Sequence, residues 1–314
     1  MTNPHEAWQP GFESMVRRLN DILGPAVEES YTPDLPDRIP PLHVIGVPRT
    51  GTTLATQLVT SHLTVTRIDR LAAVFWRAPT IGLELSRRLL GRRVESTYES
   101  RFGATDGIAE PHEFGAFWRE LLGYEAMEED PARVVDWARV RLVLTNMLEA
   151  AGEPIVFKAF LVAWHMREMS ATLPLSCYLW TRRDPRDTAI SIAMMRQVYG
   201  GSLDAWVSMK PAAAADLASE PWWVQVAAQV FHVDQAIEKG ASEIGAGNLL
   251  RVDYETMCAE PGAVVASVAD LLTANGAEVT AVGSPPKRFE PAVPALRDHR
   301  HLADLEAALR MFYG

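Results

Sequence analysis

Apolar positions fall into two patterns along the chain. Short apolar runs such as Leu42-His-Val-Ile-Gly-Val47, closed by Pro48 and Gly51, predict buried strands. Longer amphipathic stretches between them predict helices. Strands are expected over residues 42–47, 64–68, 155–157, 176–181 and 249–252. Helices are expected over 12–23, 52–62, 70–93 (broken at Pro79 and Gly91), 110–124 (opening with Pro111), 131–151, 221–239, 261–275 and 298–311. A further helix starts at Pro185, where Asp184 suits the N-cap and proline the first helical position. Pro33, Pro36, Pro40 and Pro41 mark one loop, and the four prolines of residues 284–294 mark another. Strands alternating with helices predict an α/β fold, with a central parallel sheet covered on both faces as a three-layer α/β/α sandwich. No composition break divides the chain, so one domain is expected over 1–314. Its parts are an N-terminal helix and loop (1–40), a core (42–272) and a C-terminal loop and helix (273–314). The mostly helical stretch from about 70 to 150 is expected to cover one side of the sheet.

Composition narrows the function classes. Of 314 residues, 48% are hydrophobic and 22% charged, which suits a folded globular chain. Forty acidic against 30 basic residues give a net charge of −10, so broad binding to nucleic acid or an anionic membrane is not expected. Cys177 and Cys258 are far apart with no CxxC, which argues against a disulfide framework or zinc ribbon. No apolar run reaches the ~18 residues of a membrane span. Residues 1–10, with His5 and Glu6, lack the basic-then-apolar order of a signal peptide, so a cytoplasmic location is expected. The cluster Arg87, Arg88, Arg92 and Arg93 is read as a solvated helix face.

Two segments carry chemistry. Gly46-Val-Pro-Arg-Thr-Gly-Thr-Thr53 follows a strand and opens a helix, where backbone N–H groups and the helix N-terminus make an anion cradle. Gly46, Gly51 and Thr53 keep the spacing of the phosphate-binding Walker loop, but Thr52 stands where its lysine should be. A phosphate-bearing ligand without the full triphosphate arrangement is therefore expected, with Arg49 adding a charge. The second segment runs from Arg182 through Arg183-Asp-Pro-Arg-Asp187 to Ser191. Arg183 at a strand end and Ser191 two turns into the next helix are suited to a second phosphate. The plainer reading is a surface pair of Arg183 with Asp187.

Together these segments resemble the sulfotransferases that use 3′-phosphoadenosine 5′-phosphosulfate (PAPS). Pro48-Arg-Thr-Gly-Thr-Thr53 resembles that family's 5′-phosphosulfate loop, and Arg183 with Ser191 its 3′-phosphate pair. Lys158 resembles the lysine that assists the leaving group, and Val252-Asp-Tyr-Glu255 with Pro261 the family's late strand-to-helix segment. The likeness spans about residues 42–272 and implies a P-loop-containing fold. It also implies PAPS as co-substrate, no metal, and release of adenosine 3′,5′-bisphosphate. The implied cofactor-binding residues are Arg49, Thr50, Gly51, Thr52, Thr53, Arg183 and Ser191. Amides from Thr50 to Thr53 would hold the 5′-phosphate, and Arg49 and Lys158 would stabilise the leaving oxygen. Three departures from cytosolic members stand out. Leu54 replaces the adenine-stacking tryptophan, Phe160 replaces the catalytic histidine, and the C-terminal R-K-G segment is missing, with Lys287-Arg288 as a candidate substitute. These features point to the bacterial and membrane-type branches.

An alcohol acceptor benefits from a general base. Glu113 is the first candidate and His112 the second, within Glu110-Pro-His-Glu-Phe114; Asp69, after the second strand, is a rival. Glu110 is read as favouring a helix N-terminus, and His165 as a packed histidine. Phe75, Trp76, Phe114, Phe117, Trp118, Trp222 and Trp223 are candidate linings of an apolar acceptor pocket, though aromatics at helical spacing are more often core. The expected acceptor is a hydroxyl on a small molecule, a lipid or a carrier-bound intermediate. A P-loop ATP-dependent kinase and a non-catalytic nucleotide-binding protein are the alternatives. Residues 12–23 and the last helix are candidate homodimer elements.

Overall fold

The computed structural model describes residues 11–294, 296 and 300–314. Five strands, β1 (Leu42–Gly46), β2 (Thr66–Arg67), β3 (Ile155–Lys158), β4 (Cys177–Arg182) and β5 (Leu249–Asp253), form one parallel sheet in the order β2-β3-β1-β4-β5. The register places Val44 opposite Lys158 on one side and Leu179 on the other. Because side chains alternate across a strand, β1 divides its residues between two cores. Leu42 and Val44 join Val156, Cys177 and Leu179 on one face, and Ile45 joins Phe157, Tyr178 and Trp180 on the other.

The first face is covered by α2 (Thr52–His62), α10 (Tyr254–Ala259) and α11 (Pro261–Ala274), through Ala55, Leu58, Val59, Met257, Val264 and Val268. The second lies under α5 (Gly115–Leu122), α6 (Trp137–Ala151), α7 (Met166–Thr172), α8 (Pro185–Tyr199), α9 (Trp222–Ser242) and α12 (Leu302–Tyr313). The remaining helices are α1 (Phe12–Glu29), α3 (Arg70–Ala73) and α4 (Pro79–Leu90). This is the expected three-layer α/β/α arrangement. Strand order reverses direction at β1, so the loops leaving β1 and β4 lie side by side at the carboxyl edge, where ligands of open α/β sheets bind.

Several boundaries differ from the sequence reading. The helix expected over 110–124 starts only at Gly115, because Pro111 bridges to Asp69 and the His112 N–H donates to the Ile68 carbonyl. The helix expected from 131 starts at Trp137, where Asp136 caps it by accepting the Arg139 N–H at 3.0 Å. The strand over 64–68 shrinks to two residues, and α1 continues through Pro25 to Glu29. Residue 298, the expected start of the last helix, lies outside the described residues, and α12 begins at Leu302. Asp184 caps α8 as expected, accepting the N–H groups of Arg186 and Asp187. Arg87 and Arg88 pair with Glu84 on α4, and Arg92 with Glu153.

His43 occupies the middle of β1 with no exposure. It stacks on Phe157 at 5.7 Å, lies 5.4 Å from Tyr178, and neither ring nitrogen has a partner. Burial holds its pKa down at about 3, so the ring stays neutral in the folded chain. Its folded pKa lies below its unfolded value, so it costs stability as pH falls from about 6.5 toward 3, by about 1.4 kcal/mol per pH unit. His43→Phe is expected to move the acid-unfolding midpoint, followed by circular dichroism, to lower pH; an unchanged midpoint counts against this assignment.

Candidate active site

The loop from β1 to α2 is built as an anion cradle. Gly51 takes φ +96 as the N-cap of α2, and no side chain caps that helix. A Cβ there would stand 2.6 Å from the Tyr254 ring, so the position requires glycine on both counts. The first-turn N–H groups of α2 therefore have neither intrahelical nor side-chain partners, which suits a phosphate. The Thr50 N–H, expected among the ligand donors, instead closes the turn on the Val47 carbonyl at 3.2 Å. The Thr50 hydroxyl also points inward, bonded to the Val47 carbonyl and, at 2.9 Å, to the Thr181 hydroxyl of β4. Thr50 thus fixes the loop to the neighbouring strand.

Arg49 leaves the same loop with φ +80, and its Nε donates to the Ser191 hydroxyl on α8 at 3.0 Å. One side chain therefore joins the two segments singled out from sequence. Arg183, just beyond β4, lies over the Tyr254 ring at 4.5 Å and donates to the Arg49 and Ala292 carbonyls. Its pair with Asp187 is long, at 3.6 Å, and its buried Nε has no partner. Burial first, and then the Arg183 charge, pull the Arg49 pKa down to about 10, so its guanidinium stays charged at neutral pH. Lys287 is exposed and Arg288 pairs with Glu290, while the C-terminal segment reaches Arg183 through the Ala292 carbonyl.

Lys158 ends β3 and is buried. Its ammonium donates to the Glu113 carboxylate at 2.6 Å, the Thr53 hydroxyl at 2.8 Å and the Gly103 carbonyl at 3.1 Å. Burial lowers its pKa and the Glu113 charge opposes that shift. His112 stands beside this pair in sequence, but its Nδ1 accepts the Phe114 N–H at 3.0 Å. That bond leaves the proton of the neutral ring on Nε2, a donor and not a base. Phe160 lies beside Lys158, whose Nζ is 5.4 Å from the ring centroid.

The other candidates are structural. Asp69 is fully buried, caps α3 through the Ala72 N–H, accepts from Ser86 and pairs with Arg67 at 3.3 Å, so it is no rival base. Glu110 does not sit at a helix N-terminus. Its buried carboxylate accepts from Gln57 of α2 at 3.0 Å, the Ser96 hydroxyl at 2.8 Å, the Thr97 N–H at 2.7 Å and the Thr97 hydroxyl at 3.2 Å. His165 packs against Tyr124, sharing a 2.8 Å hydrogen bond with its hydroxyl.

The candidate aromatic residues take the core alternative, with Phe114, Phe117, Trp118 and Trp222 buried and Trp76 and Trp223 packed against that core. Phe114, Phe117 and Trp118 stack in the core beside Phe157, Trp76 donates to Glu120, and Trp223 stacks on His301. Besides Tyr254 and Phe160, the site holds Phe102, 5.5 Å beneath the Arg49 guanidinium, and Tyr199, edge-on to Phe102 at 5.6 Å. No strand or helix period marks Phe102, which is why pattern analysis misses it. Among the described residues no group of three or more metal-ligating side chains is arranged around a common point, and no helix is long and apolar enough to cross a membrane.

Comparison with known proteins places this geometry. A family model described as the sulfotransferase family matches residues 40–275. Similar solved structures include the sulfotransferase STF1 of Mycobacterium tuberculosis, 16% identical, with a TM-score of 0.49 over 84% of this chain and 73% of that one. STF9 of Mycobacterium avium is 15% identical, with a TM-score of 0.47 over 94% and 71%. A sulfotransferase domain from the curacin biosynthetic pathway is 15% identical, with a TM-score of 0.45 over 75% of each chain. No curated protein matches the chain.

Glu110 supports the site from outside it. Glu110→Gln swaps one acceptor oxygen for a donor facing two of the four donors that the carboxylate accepts. It is expected to cost about 2–3 kcal/mol in urea unfolding and to speed hydrogen exchange at Thr97. Wild-type stability and unchanged exchange would refute this role.

Proposed function

Because the chain belongs to the sulfotransferase family, we propose that it transfers a sulfuryl group from PAPS to a hydroxyl of a small-molecule, lipid or carrier-bound acceptor, releasing adenosine 3′,5′-bisphosphate. One observation carries this reading: Arg49 bridges the β1–α2 cradle to Ser191 beside Arg183, so two anion subsites share one cationic wall. That arrangement suits a nucleotide with phosphates at both ends of its ribose. The whole chain is read as one domain built on this function.

In this reading the N-terminal amides of α2 and the Thr53 hydroxyl bind the 5′-phosphate, and Arg183 with Ser191 binds the 3′-phosphate. Arg49, tied to Ser191, spans the two and holds the nucleotide's length fixed. The donor supplies an activated sulfonate. The acceptor oxygen bonds to sulfur as the bond from sulfur to the bridging oxygen breaks, and the electron pair stays on the departing 5′-phosphate. Lys158, aimed at Thr53, stabilises the negative charge that appears there. Glu113 accepts the hydroxyl proton. Its pairing with the Lys158 ammonium sets base and leaving-group cation side by side. Positioning and charge stabilisation supply most of the rate, with no covalent enzyme intermediate.

Calorimetry tests the donor site. Adenosine 3′,5′-bisphosphate is expected to bind wild type in preference to ATP with magnesium, and Arg183→Ala to weaken it by about 10- to 100-fold. Preference for magnesium–ATP, or indifference to the substitution, would sink the reading in favour of a kinase. With labelled donor and a panel of alcohols and phenols, Glu113→Gln is expected to lower transfer by about 10²- to 10⁴-fold. Wild-type turnover in that variant would remove Glu113 as the base.

A further inference from the structure

An ammonium group has three N–H bonds, and Lys158 spends all three inside the protein, on Glu113, Thr53 and Gly103. The Thr53 hydroxyl in turn donates its proton to the same Gly103 carbonyl at 3.1 Å. Both groups assigned to the donor's reacting end are therefore occupied by one backbone oxygen. A ligand oxygen gains them only if a protein acceptor leaves. Thr53 is fixed in the first turn of α2 and Glu113 carries the compensating charge. Gly103 is the removable partner.

Its place in the chain supports this. Arg101 and Ala104 exchange backbone hydrogen bonds of 2.8 and 3.0 Å around Phe102 (φ 50) and Gly103 (φ 87). Two central residues with positive φ make a tight two-residue hairpin, and its tip lies in the cradle. An added Cβ at Gly103 would stand 3.2 Å from Arg49 Nη1, 3.4 Å from the Thr53 hydroxyl and 3.5 Å from Lys158 Nζ. Phe102 meanwhile covers the Arg49 guanidinium and meets Tyr199. The tip thus lies against Thr53 and Lys158, assigned above to the donor's reacting end, and against Arg49, which spans the two phosphates. Behind it, the Glu110 carboxylate pins Ser96 and Thr97 to α2, so the segment is anchored at its base and turns at its tip.

We propose that the Arg101–Ala104 hairpin is a built-in plug, whose Gly103 carbonyl stands in for a donor oxygen and must withdraw before the nucleotide's 5′ end can bind. This rests on the donor site assigned above. In the free protein the plug keeps the buried ammonium satisfied, which avoids the penalty of an unpaired charge. Ligand and plug compete for the same donors, so the apparent affinity is reduced by the fraction of molecules that are open.

The competition gives a test that misfolding cannot imitate, because damage to the plug improves binding. Gly103→Ala disfavours the left-handed tip, and Phe102→Ala removes its hold on Arg49 and Tyr199. Titrated into the full chain in a calorimeter, adenosine 3′,5′-bisphosphate is expected to bind Gly103→Ala about five- to thirtyfold more tightly than wild type, and Phe102→Ala about two- to fivefold more tightly. Saturating ligand is expected to speed hydrogen exchange over residues 99–107 of wild type. Equal or weaker binding by both variants, or slower exchange over 99–107 on ligand addition, would overturn the plug in favour of a strap that closes over the ligand. A wild-type protein that binds no bisphosphate fails differently: it removes the donor site itself, and the plug with it.

Discussion

The site is organised by the cost of burying the Lys158 ammonium. A charge removed from water must be paired and fully hydrogen-bonded, and the three acceptors it recruits come from two parts of the chain, α2 and the connection between α4 and α5. Thr53 arrives on α2, Glu113 on the segment before α5, and Gly103 at a hairpin tip. Meeting that one requirement draws together the β1–α2 loop, the carboxyl end of β3 and the connection that follows α4. The sheet supplies the fixed point, since Lys158 is paired in register with Val44 at the centre of the sheet.

Charge is distributed unevenly around that point. The chain as a whole is acidic, at −10, yet Lys158, Arg49 and Arg183 line one crevice. Burial lowers the pKa of Lys158 and Arg49, and each of those two feels a neighbouring cation as well. Only part of that charge is answered from within, by Glu113 on Lys158 and by Asp187 at longer range on Arg183. Backbone carbonyls fill much of the remainder: Gly103 toward Lys158, and Ala292 toward Arg183. Carbonyls are dipoles, and an anion bearing several charges would answer the crevice better. In the proposed reading, this surplus of cations favours such a ligand. The family's chemistry, which moves a group between anionic and neutral oxygens, is served by it.

The residues around the site divide by what they touch. Glu113 and Lys158 face the crevice, while Asp69 and Glu110, equally acidic and close by in sequence, are consumed in caps and buried hydrogen bonds. His112 is turned away from base chemistry by one backbone N–H. Type and proximity in sequence did not separate these carboxylates. Their hydrogen-bond partners did.

The strands, the β1–α2 cradle, the Asp184 cap and the order of the sheet's helices were legible in the sequence because each depends on local rules. Apolar runs, glycine spacing and capping act within a few residues, and so they survive without knowledge of the fold. The same local rules place Arg183 just beyond a strand end and Ser191 two turns into the following helix. Other features depend on contacts between residues far apart. Pro111 and His112 read locally as a helix start, yet pairing with Asp69 and Ile68 holds them extended. Helical spacing leaves the clustered aromatic residues open between pocket and core, and packing against Phe157 places several of them in the core. The meeting of Arg49 with Ser191, and of Gly103 with Lys158, spans 142 and 55 residues. Local propensity therefore determined the elements and the anion loops. Burial and hydrogen-bond satisfaction, which exist only once the sheet has formed, decided which side chains share the crevice.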